Sequence, residues 1–535
     1  MSYTTSAFVI FVAAVLLLYY LLPRKCQWGV LLGASCAFYA LSGGWYLPFI
    51  ISTVVTTYLA ARVIHKRELA DNAYIDAHRE DMSKDERKEY KQKGKKKRFR
   101  ILLLALCLNF GILAVLKYTG FTLDAINGVF GIFGVGGGEL IPVPELILPL
   151  GISFYTFRAT GYLIDVYRSK TNVENNIFRY ALFVSFFPLI LQGPISRHSS
   201  LAHQFYEPHS ANRGDLCAGG FRVLWGYFKK VVLADTAMIG VKAVIENGDT
   251  LVGVYVLYLI VMYSVVIYGD FTGGIDITIG ISRMLGLRVE ENFLRPFSSR
   301  STQEYWNRWH ITMGSWFTDY VFYPLSVCRP MQKLTKWSKN HLGRAVGMRL
   351  PVYLATLATW YLTGLWHGAG WNFIVWGLLN GAVILISREL EPLYARFHAR
   401  FKGLSCEKGI YGAFCAVRTF WLMGAIRIFD CYRDVPLTFR SLGTIFYRFD
   451  TWGDIFSGAM VEKLGLGVAQ YILIGLCCVL IFFVSRAEKK EPIPDRLASR
   501  PVLWTLTCAA LIFAVLVFGS YGIGFDSSQF IYTQH

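Results

Sequence analysis

Ionisable and amide side chains sit inside stretches of this sequence that are otherwise apolar, and four such clusters could carry chemistry. In "TGLWHGAGWNFIVWG", Thr363 to Gly377, they are His367 and Asn372. In "YWNRWHITMGSWFTDYVFYPL" they are Asn307, Arg308, His310 and Asp319. "YGDFTGGIDITIGISR" holds Asp270 and Asp276, and "PLGISFYTFRATGYLIDVYR" holds Ser153, Tyr155, Arg158 and Asp165. A polar group inside a bilayer is costly, so each is a functional candidate until a structural partner is found. A neutral imidazole accepts a proton near neutral pH, which suits His367 to a general base for a hydroxyl. The competing role is a packed, hydrogen-bonded core histidine. Metal binding has no support, because no second histidine stands at i+4 and no CxxC pair occurs among the 11 cysteines.

These clusters need elements that hold polar groups at membrane depth. The 535 residues are 54% hydrophobic and 17% charged, with a mean hydropathy of +0.40, unlike a soluble domain with roughly 25% charged residues. A spanning helix needs about 20 apolar residues. Such runs fall near 5–22, 28–43, 46–64, 100–118, 150–167, 178–195, 218–244, 251–285, 350–366, 370–388, 408–428, 468–485 and 500–520. The expectation is an all-α polytopic membrane protein with about 11–13 membrane helices in one domain over 1–535. A basic insert occupies 66–100, and a C-terminal extension over 430–535 adds about two further helices. Gly368 and Gly370 interrupt the apolar run after His367 and place it at a helix end. The first run lacks a basic stretch before it and is expected to be a retained helix rather than a signal peptide.

The net charge of +18 fits cationic loops facing anionic lipid better than nucleic acid. Thirteen Lys and Arg lie between Lys66 and Arg100, and none in "LSGGWY". The positive-inside rule therefore puts 66–100 in the cytoplasm and the N-terminus outside. The Gly-rich stretch "GVFGIFGVGGGELIPVPE" and the tail "GIGFDSSQFIYTQH" lack Lys and Arg and are expected outside. For Asp165, Asp270 and Asp276 the expectation is pairing with Arg158, Arg283 or another internal cation.

Together, "YWNRWHITMGSWFTDYVFYPL" and "TGLWHGAGWNFIVWGLLNG" resemble the signature of the membrane-bound O-acyltransferase family. "LPLGISFYTFRATGYLIDVYR", "FFPLILQGPISR", "WGYFKKVVLAD" and "ENFLRPF" resemble its bacterial branch containing the alginate O-acetyltransferase membrane subunit. The likeness implies a ring of helices around a central funnel in a bacterial cytoplasmic membrane, with His367 and His310 as catalytic histidines. It implies no bound cofactor. The donor is a cytoplasmic acyl thioester, acetyl-CoA first. The acceptor is a cell-surface polysaccharide, reached with an extracytoplasmic partner protein. D-alanyl transfer from a carrier protein to teichoic acid, or polysaccharide or lipid transport, are the alternatives.

That chemistry needs a base and a donor for the developing oxyanion. His367 fits the first. Asn372, Trp309 or a backbone N–H at the glycine break fits the second, a role typically worth about 3–4 kcal/mol. Asn372 has a second reading, as a hydrogen bond between helices. Asn307, Trp309, Trp366 and Asn372 are expected to line the substrate site. Lys229 and Lys230 are expected at the cytoplasmic face, meeting the donor's phosphates or lipid.

Overall fold

The computed structural model describes residues 2–133, 141–144, 146–489 and 492–520. The tail 522–535 and the centre of the Gly-rich loop lie outside the described residues. Among the described residues there is no β-strand, only an isolated antiparallel bridge between Phe293 and Trp309. The apolar runs are helices, because lipid offers no partner to a bare backbone. Seven helical stretches are long and apolar enough to cross a membrane. The chain is an all-α, multi-pass membrane protein. Where the sequence suggests one domain, it forms two compact units, Met1–Asn212 with Ile281–Val289, and Arg213–Gly280 with Glu290–His535.

The first unit holds α1 (Ser6–Leu21), α2 (Gln27–Gly43), α3 (Leu47–Ala77), α4 (Lys84–Ile132), α5 (Ile152–Tyr167) and α6 (Ile177–Ser185). The basic insert 66–100 is almost wholly helical, since α3 runs on to Ala77 and α4 begins at Lys84. Ser83 caps α4 in a reciprocal box with Glu86, and Arg98 reaches back to Glu68 at 3.1 Å. The expected span at 178–195 is not one helix. It stops at Ser185, before a proline that would remove a helical N–H. The buried irregular segment beyond it is satisfied by side chains. Tyr3 donates to the Pro188 carbonyl at 2.8 Å, and the Phe187 N–H donates to Ser35 at 3.1 Å.

The second unit carries the candidate site. α7 (Arg213–Tyr227) continues through a π-helical stretch, Phe228–Ala234, into α8 (Asp235–Glu246). It packs against α9 (Val254–Met284), most of which belongs to this unit. Their backbones touch at glycines: a Cβ on Gly226 would lie 2.5 Å from the Gly273 carbonyl oxygen. Close approach through small residues is a characteristic way for helices to associate in lipid. After two short helices, α10 (Thr302–Arg308) and α11 (Ile311–Phe317), comes the long α12 (Arg329–His367), broken at Gly343 where φ is 81°. α13 (Trp371–Glu389) and α14 (Gly409–Tyr432) follow. Beyond residue 430 the apolar helices α15 (Val468–Ala487) and α16 (Pro501–Phe518) complete the described chain.

Candidate active site

α12 and α13 form a tight hairpin with His367 at its turn. His367 is the last residue of α12, Gly368 caps it in extended backbone, and α13 starts at Trp371. A Cβ on Gly368 would overlap the Phe373 ring, and one on Gly364 would overlap the Phe373 carbonyl oxygen. The glycines are therefore steric requirements of the turn that places the imidazole. His367 is 8% exposed. Trp366 and Trp376 pack edge-on against its ring, at centroid distances of 5.0 and 4.6 Å.

His310 is set by a different device. It lies between α10 and α11 with φ 51° and ψ 52°, in the left-handed region, which few non-glycine residues occupy. Asn292 stabilises this turn. Its carbonyl accepts from Ile311 N–H at 3.0 Å. Its Oδ1 accepts from both the N–H and the hydroxyl of Thr312, each at 3.0 Å. The Asn292 amide also faces the ring, with Nδ2 3.2 Å and Oδ1 3.3 Å from His310 Nδ1. The ring is fully buried, between Phe271 at 4.8 Å and Trp366 at 5.9 Å. Trp366 thus stands between the two histidines.

A small cavity of about 20 Å³ opens beside His367, lined also by Trp306, Trp309, Trp376, Arg427 and Asp430. That is space for about one water-sized group. The Arg427 guanidinium lies 4.6 Å over the Trp309 ring and donates to the Tyr305 hydroxyl. Asp430 accepts from the Tyr263 hydroxyl at 2.8 Å. On the other side of Trp306 a groove of about 1180 Å³ runs between α10, α12, α13 and α14, with Asn307, Asp319, Thr363, Arg388 and Arg418 among its walls. The cavity therefore combines a base, a cation and a carboxylate in an aromatic enclosure beside a substrate-sized groove.

The structure distributes the expected residues unevenly. His367 and Trp309 line the cavity; Asn307 lines the groove, exposed; Trp366 is buried between the histidines. Neither His310 nor Asn372 is among the cavity walls. The Asn372 amide donates to the Phe429 carbonyl at 3.0 Å, joining α13 to α14. Of its two readings, the hydrogen bond between helices is the one observed. Lys229 and Lys230 depart from expectation: they are buried, at 4% and 3% exposure, rather than presented at a face. Lys229 pairs with Asp276 at 2.5 Å and donates to Thr272 at 2.8 Å. Lys230 pairs with Asp270 at 2.6 Å and Asp235 at 2.7 Å. Arg222 completes the network, 3.0 Å from Asp276 and 2.5 Å from Glu291. Buried charges persist only when paired, and here Asp270 and Asp276 supply the pairing.

Sequence reasoning did not find Trp306, Arg427 or Asp430. The signal for the last two was present. "GAIRIFDCY" carries two charges three residues apart in an apolar helix, and that spacing puts both on one face.

A sequence model of the membrane-bound O-acyltransferase family matches residues 171–406. A probable alginate O-acetylase of Pseudomonas aeruginosa is 30% identical over 74% of this chain and 69% of its own length. One from Azotobacter vinelandii is 34% identical over 55% of this chain. That match spans only 54% of the Azotobacter protein, about half its length. A peptidoglycan O-acetyltransferase of Helicobacter pylori is 29% identical, over 68% of this chain and 65% of its own.

Proposed function

Because this chain belongs to the membrane-bound O-acyltransferase family, we propose that it moves an acyl group, acetyl first, from a thioester to a hydroxyl of a cell-envelope polysaccharide. The observation that carries the reading is His367, fixed at a helix turn and facing a cavity that also holds Arg427 and Asp430. In the proposed reaction the His367 imidazole takes the proton of the acceptor hydroxyl as its oxygen adds to the thioester carbonyl carbon. The C=O pair moves onto oxygen. The tetrahedral intermediate then re-forms the carbonyl and breaks the C–S bond, and the imidazolium returns the proton to the departing thiolate. Arg427 supplies positive potential where the oxyanion develops. In an enclosure this dry, such fixed charge acts far more strongly than in water. His310 is a positioning residue in this scheme, acting on His367 through Trp366.

The donor is acetyl-CoA, approaching along the groove. Arg388 and Arg418 on its walls suit the phosphates better than the internally paired Lys229 and Lys230. An extracytoplasmic partner protein presents the polysaccharide, and the chain resides in the bacterial cytoplasmic membrane. The charge asymmetry of the loops and the bacterial relatives support the membrane placement. The test is base-labile acetate on envelope polymer in a deletion strain complemented with wild type or His367→Ala at equal membrane abundance. The expected result is acetate restored by wild type and lost, at least about 10²-fold in rate, with His367→Ala. Equal acetate in the deletion and wild-type strains refutes acetylation, and parallel assay of D-alanine esters then decides the donor class.

A further inference from the structure

Trp306 is a wall shared by the cavity and the groove. The ring is fixed from two sides, by Trp360 at 4.7 Å and Trp376 at 5.7 Å, both edge-on. Trp376 in turn packs on His367 at 4.6 Å, so one aromatic stack sets indole and imidazole together. The Trp306 Nε1–H is buried and has no hydrogen-bond partner among the described residues. Among the three tryptophans lining the cavity, it alone is in that condition. A buried donor left unmade is costly, and native proteins keep few of them unless a ligand completes the bond.

From this we infer that Trp306 is a catalytic residue. Its indole N–H donates to the carbonyl oxygen of the acyl thioester, and more strongly to the oxyanion formed when the acceptor oxygen adds. The inference rests on the acyl-transfer reading above and gives it a neutral donor beside the Arg427 cation. The step balances. The new C–O bond forms as the carbonyl π pair moves onto oxygen, Trp306 keeps its proton throughout, and the hydroxyl proton travels to the leaving sulfur through His367. The small cavity admits an oxygen atom and excludes a competing water once that oxygen is bound.

The experiment uses the full chain in membranes of the complemented deletion strain, with radiolabelled acetyl-CoA as donor and label in base-labile polymer as readout. Trp306→Phe keeps an aromatic ring and removes the N–H. Benzothienylalanine at position 306 keeps the shape of indole and also lacks the N–H, so it decides the matter if the phenylalanine variant misfolds. Both are expected to lower kcat about 10²-fold, with KM for acetyl-CoA within about threefold and unaltered protein abundance, a split that loss of packing would not give. A benzothienylalanine protein with kcat within about threefold of wild type overturns the role of Trp306 while leaving the function intact, provided His367→Ala is inactive. A wild type that transfers no label overturns the acyl-transfer reading and this inference with it.

Discussion

One methyl group added at Gly364 should disable the site from three residues away. Gly364 lies on α12 three residues before His367, where the helix crosses α13 at Gly377. A Cβ there would fall roughly 1 Å inside the 3.4 Å at which ordinary contact with the Phe373 carbonyl oxygen begins. The obstacle is backbone, not a flexible side chain, so the two helices must separate. Overpacking of this kind costs about 1–3 kcal/mol. The larger effect is geometric. His367 is carried on the same rigid turn, and a displacement of about 1 Å at a reacting group can cost roughly 10²-fold in rate. Gly364→Ala should therefore lower kcat about 10²-fold while the detergent-solubilised protein still elutes as a folded species with a modestly lowered melting temperature. Gly475→Ala is the control, because its Cβ would meet nothing within 4 Å. It should leave kcat unchanged and gain up to about 1 kcal/mol from helix propensity. A Gly364→Ala enzyme with wild-type kcat and melting temperature would refute the claim that this crossing positions His367.

Two more predictions concern buried polar groups. Asp276→Asn removes the carboxylate that faces Lys229 and Arg222 and should destabilise the protein by about 3–5 kcal/mol, the usual cost of stranding a buried charge. Adding Lys229→Met should recover most of that, since Arg222 keeps Glu291. A double variant as unstable as Asp276→Asn in detergent-titrated unfolding would show that the pair is not the cause. Asn372→Leu breaks the link from α13 to the Phe429 carbonyl and should cost about 0.6–2 kcal/mol in stability, with kcat reduced less than tenfold. A far deeper loss of kcat at unchanged stability would return Asn372 to the role of substrate donor.

What the sequence determined about this protein is what local pattern can determine. Apolar run length made the helices, since a backbone in lipid has few other solutions. Gly368 and Gly370 ended α12 at His367. The paired motifs around His310 and His367 carried the family. The bounds of single elements were less legible. The span at 178–195 ends early, because the hydrogen bonds from Tyr3 and to Ser35 that sustain its irregular half come from residues more than 150 positions away. Local sequence cannot show such partners.

Only the tertiary structure decided which polar residues meet. Lys229 and Lys230 look like surface cations in sequence and are internal ones in space, because Asp270 and Asp276 on α9 reach them across a glycine seam. Asn372 beside the turn suggested a catalytic amide, yet its hydrogen bond goes to α14. Trp306, Arg427 and Asp430 gather around His367 from helices that are far apart in the chain. Residue type and spacing report the face of a single helix. The cavity is a property of how several helices pack, and side chains 60 to 124 positions apart become neighbours only when packing closes the distance.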